Sequence, residues 1–457
     1  MLPLAFTSLG APPRHSSALS EPAADAASSG ALLRAQFPAY HSAAEIAGTL
    51  RELGNQPNLE LRELHTGGSS DASRPRVHAL QTVSDALLQP NRPRALLVGG
   101  EHPRELLPTE VLLQLAEMLG GRPPPHVSKG LQARVDALAR SADVGVIPVL
   151  DAASRAAVER GDWCRRCNAN GVDLNRNYDE HWGADGERSA GPRPFSEEPT
   201  ALVRDFAREF APTLFLSVHS GQRAMFSPCA AAAAAQFVAG AQFVGRAPRS
   251  RPPLRSAHRY ASAEPQSAAT AEMERVAAAV HRAHGGGVVS PSKVGAARAR
   301  LGYAAGGGIS MDWAAKVLRA PYSFAFEIWD GTWARGADFE RGDGEEEAAD
   351  GEVAAAAEEG WSGADLERLA ARRPLRPSEV ASLERADSSD GLSAAFCRRR
   401  WGGPATRAEF EEVSAKWLEI TVATMECALL KQCEWAGGAK AVADHERAGD
   451  GLSSYVL

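Results

Sequence analysis

The protein has 457 residues, of which 44 % are hydrophobic, and a formal net charge of −7. This length accommodates one large α/β domain or two or three smaller ones, with enough apolar residues for a sizeable core. The charge balance gives no indication of a nucleic-acid partner, and no apolar stretch approaches the ~20 residues that a membrane-spanning helix needs. We therefore expect neither a nucleic-acid partner nor a membrane span.

The first segment, residues 1–36, is rich in Ala, Ser and Pro and predicts a disordered N-terminal tail or leader. Its apolar start is short and lacks a preceding basic region, so it is a weak secretory signal. Secretion and import into an organelle are both compatible with this start, and the compartment stays open. The sequence carries no indication of the oligomeric state.

Helical and extended segments alternate over most of residues 37–330. The predicted strands, either alternating or continuously apolar, are 59–67, 76–84, 94–100, 144–150, 213–220 and 322–329. The predicted helices between them are 37–54, 108–121, 129–142, 199–212 and 266–287. This order predicts an α/β fold, a three-layer α/β/α sandwich with a mixed, mostly parallel twisted sheet.

One large domain over residues 37–435 is the simplest description, followed by a flexible C-terminal tail at 436–457. Two biased segments interrupt it and predict surface insertions, at about 230–262 (rich in Ala, Pro and Arg) and about 335–360 (acidic and mobile). An amphipathic pattern at 407–432 predicts the closing helix. The short run of arginines at 398–400 predicts a solvated loop.

The six cysteines carry a weak signal. Cys164 and Cys167 are spaced as Cys-x-x-Cys, but they lie in a polar stretch and lack the second close pair of a zinc ribbon. Free thiols or one disulfide are the favoured interpretation, so cysteine usage does not decide the compartment.

His102 and Glu105 follow the predicted strand at 94–100, in the turn that opens the next helix. Active sites of open α/β sheets lie at the carboxyl ends of strands. Two ligands three residues apart can face one ion, and imidazole nitrogen and carboxylate oxygen both suit Zn²⁺. The pair therefore indicates a metal site, although a histidine and a glutamate can also occur at this spacing by chance.

A catalytic zinc needs a third protein ligand. His219, at the end of the predicted strand 213–220, is the best candidate, with a buried histidine satisfied by its neighbours as the alternative. His281 and His284 form a rival pair near a helix C-terminus, where histidine is common for electrostatic reasons. We expect those two to face solvent.

A polar loop after the strand at 144–150 contains Arg165, Arg166, Asp173, Asn175 and Arg176. Guanidinium groups beside a metal site suit recognition of a carboxylate, because the planar fork binds it bidentately. An ordinary salt bridge in a polar loop is the alternative.

Glu327 ends the apolar strand at 322–329, on the face that carries Ser323 and Ala325. A carboxylate is rarely buried there without a purpose. A desolvated glutamate near zinc could serve as a general base.

These stretches together resemble the zinc carboxypeptidase family. Its motifs occur here in the family's order as HPRE, RCNANGVDLNRN, SVHS, GYAAGGGISMDW and SFAFEIWD. The resemblance spans about residues 37–335, and the helix near 405–432 fits the family's last helix. It implies the zinc-carboxypeptidase fold, a catalytic domain at 37–435, one Zn²⁺ per chain, and hydrolysis of the last peptide bond at peptide or protein C-termini.

The resemblance implies that His102, Glu105 and His219 ligate the zinc. It also implies that Asp173 holds the second ring nitrogen of His102.

For catalysis and substrate binding, the resemblance implies that Arg166 polarises the scissile carbonyl, with Arg165 as the alternative. Asn175 and Arg176 would bind the terminal carboxylate of the substrate. Glu327 would act as general base and then as proton donor to the leaving amine.

The substrate pocket shows departures from the family pattern. Tyr303 would close over the bound C-terminal residue, but one extra residue separates it from Asp312. Gly221 replaces an aromatic residue of many members. Met311 matches a position that lines the side-chain pocket, and Ala325 adds no charge, so we expect release of neutral or apolar residues.

Two alternative functions stay open at this point. One is a zinc amidase of the same fold that acts on a non-standard peptide substrate. The other is a non-catalytic binding relative.

Overall fold

The computed structural model describes residues 23–65, 76–83, 91–183, 188–228, 268–296, 307–333, 362–372, 379, 382–383, 386 and 391–434. The strands are β1 (Leu59–Leu64), β2 (Val77–Thr82), β3 (Arg94–Gly99), β4 (Asp143–Ile147), β5 (Leu214–His219), β6 (Arg223–Ser227), β7 (Val294–Ala296) and β8 (Tyr322–Ile328). They form one sheet in the order β1-β2-β4-β3-β5-β8-β6-β7.

The sheet is mixed. Its central pairs β4·β3, β3·β5 and β5·β8 are parallel, as is β6·β7 at one edge. The pairs β1·β2, β2·β4 and β6·β8 are antiparallel. Because these central strands are parallel, the carboxyl ends of β3, β5 and β8 lie side by side, and open α/β sheets bind ligands at such strand ends.

The α-helices are α1 (Ala23–Gln36), α2 (Ala43–Leu53), α3 (Leu106–Leu119), α4 (Lys129–Ser141), α5 (Ala152–Glu159), α6 (Glu198–Phe210), α7 (Ala268–Val280), α8 (Ser310–Lys316), α9 (Gly363–Ala370), α10 (Ala394–Cys397) and α11 (Arg407–Leu430). Short 3-10 turns occupy Leu174–Arg176, Arg188–Ala190 and Pro291–Lys293, and π-helical turns occupy His281–Gly285 and Arg398–Gly402. None of the described helices is both long and apolar enough to cross a bilayer.

The sheet buries both of its faces, as continuous apolar strands predict. Ala95 and Leu97 of β3 pack into the core cluster formed with α2, α3, α4, α7 and α11. The alternate residues Leu96 and Val98 pack into a second cluster with α6 and α8. The predicted three-layer α/β/α sandwich is therefore confirmed.

Side-chain caps begin several of these helices where the sequence places a small polar residue. The Ser42 hydroxyl accepts a hydrogen bond from the Glu45 backbone N–H, and the Glu45 carboxylate accepts one from the Ser42 backbone N–H. Thr406 caps α11 by accepting from the Glu409 backbone. Such caps satisfy amide groups that have no partner within the helix, so they specify where it starts.

The N-terminal segment differs from the expected disordered tail over its second part. Residues 23–36 form α1, because Leu33 is fully buried and packs with Phe37 in the main core cluster. Residues 1–22, the two insertions at 230–262 and 335–360, and the tail at 436–457 lie outside the described residues.

Two further expectations from the sequence are wrong. Arg399 is exposed as expected, but Arg398 to Arg400 form part of a π-helical turn and not a loop. Arg398 lies over the Trp163 ring, and Arg400 donates to the Asp330 carbonyl. His284 is buried and does not face solvent. Its Nδ1 lies 3.1 Å from a carboxylate oxygen of Glu419 on α11.

Among the five cysteines that the structure describes there are two disulfides, where free thiols or one disulfide were expected. Cys164 pairs with Cys397, 233 residues away in the sequence, and Cys427 pairs with Cys433. Cys167 belongs to neither bond. Sequence spacing could not identify the first pair, because only the fold brings its two cysteines together.

Candidate metal centre and active site

The candidate site lies at the carboxyl ends of the three central parallel strands. Gly100 turns the chain sharply after β3 with a φ of +68°, and its missing side chain leaves room for the backbone of Val149 and Leu150. That turn leads into His102 and Glu105. His219 ends β5 and is the register partner of Glu327 on β8, so both side chains project from the same face of the sheet.

His102, Glu105 and His219 converge in a buried cluster. One potential ligand atom from each residue lies within 4.8 Å of the other two. The two Glu105 oxygens lie 2.7 Å from His102 Nδ1 and 2.9 Å from His219 Nδ1. Two imidazole nitrogens and one carboxylate make a donor set that Zn²⁺ uses in catalytic sites. In the described ranges, no other group of three such side chains has this spacing.

Each histidine has a carboxylate at its other ring nitrogen. His102 Nε2 lies 3.0 Å from Asp173 Oδ1, and His219 Nε2 lies 3.0 Å from Glu101 Oε2. Carboxylate partners of this kind orient a metal-ligating imidazole and select its tautomer. The ring orientation therefore suits ligation through Nδ1 of both histidines.

Neighbouring charges shift the pKa of Glu105, His219 and Asp173. Burial acts to raise the pKa of Glu105, but His102 and His219 outweigh it and hold that pKa well below its ordinary value. Burial acts to lower the pKa of His219, yet Glu105 and Glu101 raise it well above the usual range. Burial likewise opposes the ionised form of Asp173, but Arg166 and His102 keep its pKa low. The cluster is thus a buried set of opposite charges that stabilise one another.

Of the two candidate oxyanion arginines, Arg166 is the one that the structure joins to the cluster. Its Nε donates to Asp173 Oδ2 over 2.9 Å, and its side chain is buried. Arg165 instead pairs with Asp162 and is about one-third exposed.

The loop around Asn175 packs against the start of α8. Asn175 Oδ1 accepts from the Ser310 backbone over 2.9 Å, and its Nδ2 lies 3.1 Å from His219 Nε2. Arg176 is half-buried and donates through one terminal nitrogen to the Asn175 carbonyl. The asparagine is therefore held inside the cluster, whereas the arginine stands at its margin.

A small apolar cluster lies beside Glu327. Ala224 is the antiparallel register partner of Glu327, and Phe226 is that of Ala325. These two residues pack with Met311 and Ala325. Next to the cluster of ionisable groups there is thus an uncharged wall.

The pattern of the zinc carboxypeptidase family matches residues 54–341, which is more than half of the chain. The chain belongs to the zinc carboxypeptidase family. This membership agrees with the order of motifs along the sequence and with the His-Glu-His cluster, and the family implies zinc.

Individual relatives of this family are distant. Carboxypeptidase E of Caenorhabditis elegans is 27 % identical over 150 residues, which is 32 % of this chain and 30 % of that protein. The match therefore spans less than a third of the length of the curated relative.

Solved structures that resemble this one include bovine thrombin-activatable fibrinolysis inhibitor in complex with tick carboxypeptidase inhibitor. It has 16 % identity and a TM-score of 0.49, with 86 % of this chain and 98 % of that chain covered. Carboxypeptidase A from Helicoverpa armigera has 19 % identity and a TM-score of 0.45, with 63 % and 64 % covered.

The predicted site residues thus fall into three groups. Glu105 contacts both His102 and His219, and Asp173 contacts His102, with Glu327 on the neighbouring strand. Arg166, Asn175, Arg176 and Met311 surround them. Tyr303 lies outside the described residues.

Sequence reasoning missed Glu101, Ser217 and Ser310, which together contact His219 or one another. Glu101 had a usable signal, because an acidic residue at the end of a buried strand, next to a metal-ligand motif, is unusual. The two serines had none, since serine is common at strand ends and helix starts.

Proposed function

We propose that this protein is a zinc-dependent metallocarboxypeptidase that hydrolyses the last peptide bond of peptides or proteins and releases neutral or apolar residues. The observation that carries the proposal is the buried His102–Glu105–His219 donor set with Glu327 in register beside His219. Family membership supports the same reaction class.

The three donors fit one zinc ion. Their Nδ1 and carboxylate atoms face one another, while the outer nitrogens of both histidines already have carboxylate partners. A zinc held here supplies Lewis acidity, which polarises a carbonyl and makes a water molecule acidic near neutral pH. His102, Glu105 and His219 would hold the ion.

Glu327 is suited to accept and return a proton. It projects from the same face as His219, and its neighbours on that face are the apolar Ala224 and Ala325. In our proposal its carboxylate takes a proton from the attacking water and later delivers it to the leaving amine. Arg166, buried against Asp173, provides positive charge for the oxyanion.

Arg176 accounts for the requirement for a free chain end. Its half-buried guanidinium stands at the margin of the cluster and can bind a terminal carboxylate bidentately. Asn175 would contribute its amide only after a change in the contacts that it makes with Ser310 and His219. The apolar cluster around Met311 supports the preference for uncharged side chains, because it offers a cationic side chain no partner.

The decisive test is Glu327→Gln, assayed with peptides that end in Leu, Phe or Lys and with their amidated forms. We expect kcat to fall by about 10²–10⁴-fold while zinc stays bound, because only the proton acceptor is removed. Glu63→Gln on β1, at the far edge of the same sheet, is the control and should keep full activity.

Three results would contradict the proposal in different ways. Full activity of the Glu327→Gln variant would exclude Glu327 as the base. Equal rates on free and amidated peptides would favour the amidase of the same fold. A wild-type protein that binds zinc but cleaves no peptide would favour a non-catalytic relative.

A further inference from the structure

Glu101 is a buried carboxylate that the proposed mechanism does not use. It lies just after β3 and directly before His102, and it is only 1 % exposed. Its Oε2 accepts hydrogen bonds from Ser217 Oγ and Ser310 Oγ and lies 3.0 Å from His219 Nε2. Burying a carboxylate is costly unless such groups satisfy it, so this position demands an explanation.

The tautomer of His219 explains why a carboxylate is buried at this position. Ligation through Nδ1 requires the hydrogen of the neutral ring to sit on Nε2. Three side chains approach Nε2: Ser217 Oγ at 2.8 Å, Glu101 Oε2 at 3.0 Å and Asn175 Nδ2 at 3.1 Å.

These three neighbours are not equivalent. Asn175 Nδ2 can only donate, so it offers an Nε2–H no acceptor and would have to turn away from it. Ser217 Oγ donates its own hydrogen to Glu101 and can still accept the Nε2–H, but only as a neutral group. Glu101 alone among the three is an ionised group that accepts without donating. It is therefore the strongest partner for an Nε2–H and the group that favours the metal-binding tautomer.

We propose that Glu101 is the positioning residue of the ligand His219, as a carboxylate that holds its Nε2–H and so directs Nδ1 at a zinc ion. The inference rests on the zinc site of the proposed function. With Asp173 on His102, it gives both imidazole ligands a carboxylate partner from a different part of the chain.

The Glu101 carboxylate also connects His219 to the loop that contains Asn175 and Arg176, here named the substrate loop. Ser310, which donates to Glu101, begins α8 and also donates its backbone N–H to Asn175. Met311 of the apolar cluster follows it directly. A movement of Glu101 would therefore displace both His219 and the pocket wall that contains Met311.

Zinc affinity of the full-length Glu101→Gln protein tests the inference without any substrate. We expect its zinc dissociation constant, measured by competition with a chromophoric chelator, to rise about 10–100-fold. The matched control is Glu110→Gln. Glu110 is also 1 % exposed and faces a histidine, His41, that is no ligand, so its variant should bind zinc within about twofold of wild type.

A second measurement covers the case in which Glu101→Gln does not fold. In zinc-loaded wild type, proton NMR should show a downfield imidazole N–H signal from His219 that disappears in His219→Asn, because Glu101 holds that hydrogen. A folded Glu101→Gln protein with wild-type zinc affinity, or the lack of the downfield signal, overturns the inference.

The outcomes also separate this inference from the proposed function. If wild type binds zinc more tightly than Glu101→Gln but cleaves no peptide, the peptidase proposal fails and the positioning role stands. If peptides are cleaved and Glu101→Gln binds zinc normally, the positioning role of Glu101 fails and the peptidase proposal stands.

Discussion

At the scale of single residues, two adjacent glycines hold the substrate loop against α8. A side chain on Gly307 would overlap the His181 carbonyl, and one on Gly308 would overlap the Arg176 carbonyl. Gly308 also has a φ of +74°, which side chains disfavour. The chain is therefore packed backbone to backbone next to Arg176.

Replacement of Gly308 with alanine should lower the free energy of unfolding by clearly more than strain at positive φ alone, which is about 1–2 kcal/mol. Gly121→Ala is the matched control, because Gly121 has a φ of +68° and open space around it. Urea unfolding of both variants measures the difference. An equal loss of unfolding free energy in the two variants would mean that the substrate loop can move away from α8 at no cost.

At the scale of elements, a polar contact joins the turn after α7 to α11. Glu419 of α11 lies 3.1 Å from both His284 Nδ1 and Lys416 Nζ. The hydrogen bond from His284 is the main reason why the pKa of Glu419 falls from 4.5 to about 2. A carboxylate with a depressed pKa stabilises the fold above its unfolded-state pKa and loses that contribution as the pH falls through its folded-state pKa.

We therefore expect Glu419→Gln to be less stable than wild type at pH 7, with the difference shrinking between about pH 4.5 and pH 2. The effect should be modest and weaker in high salt, because the site is partly exposed. Thermal melts across this pH range check it, with Glu411→Gln on the same helix as control. A difference that stays constant with pH would exclude the ionised carboxylate as its source.

At the scale of the whole molecule, the disulfides differ in what they connect. Cys164–Cys397 ties the segment beside Arg166 to α10, across 233 residues, whereas Cys427–Cys433 ties the last turn of α11 to the residues that directly follow it. In the chain-entropy description, a cross-link stabilises more when it closes a longer loop. Disulfides of this kind are typical of proteins that fold in oxidising compartments.

Accordingly, the Cys164→Ser/Cys397→Ser double variant should lose about 2–5 kcal/mol of unfolding free energy, and Cys427→Ser/Cys433→Ser should lose less. Non-reducing urea unfolding compares the two. Peptide mapping by mass spectrometry checks the pairing independently, and a Cys164–Cys167 bond would contradict it.

Most of the architecture was readable from local pattern. Continuous apolar strands and amphipathic helices in alternation predicted the three layers, because burial on both faces leaves a periodic imprint on the sequence. The short strands β6 and β7 and helix α8 were not predicted, since three to seven residues are too few for a period to emerge. Helix α1 was missed because its composition resembles a tail, although Leu33 is buried in the core.

The site divides in the same way. The sequence was enough to propose His102, Glu105 and His219 as zinc ligands and Glu327 as the base, because each residue ends a strand or follows one and its type suits zinc chemistry. The partner of His219, the pairing of Cys164 with Cys397, and the choice of Arg166 over Arg165 depended on the fold. Those contacts join residues up to 233 positions apart. Glu101 lies beside His102 in sequence yet contacts His219, because adjacent parallel strands bring distant residues together at one edge of the sheet.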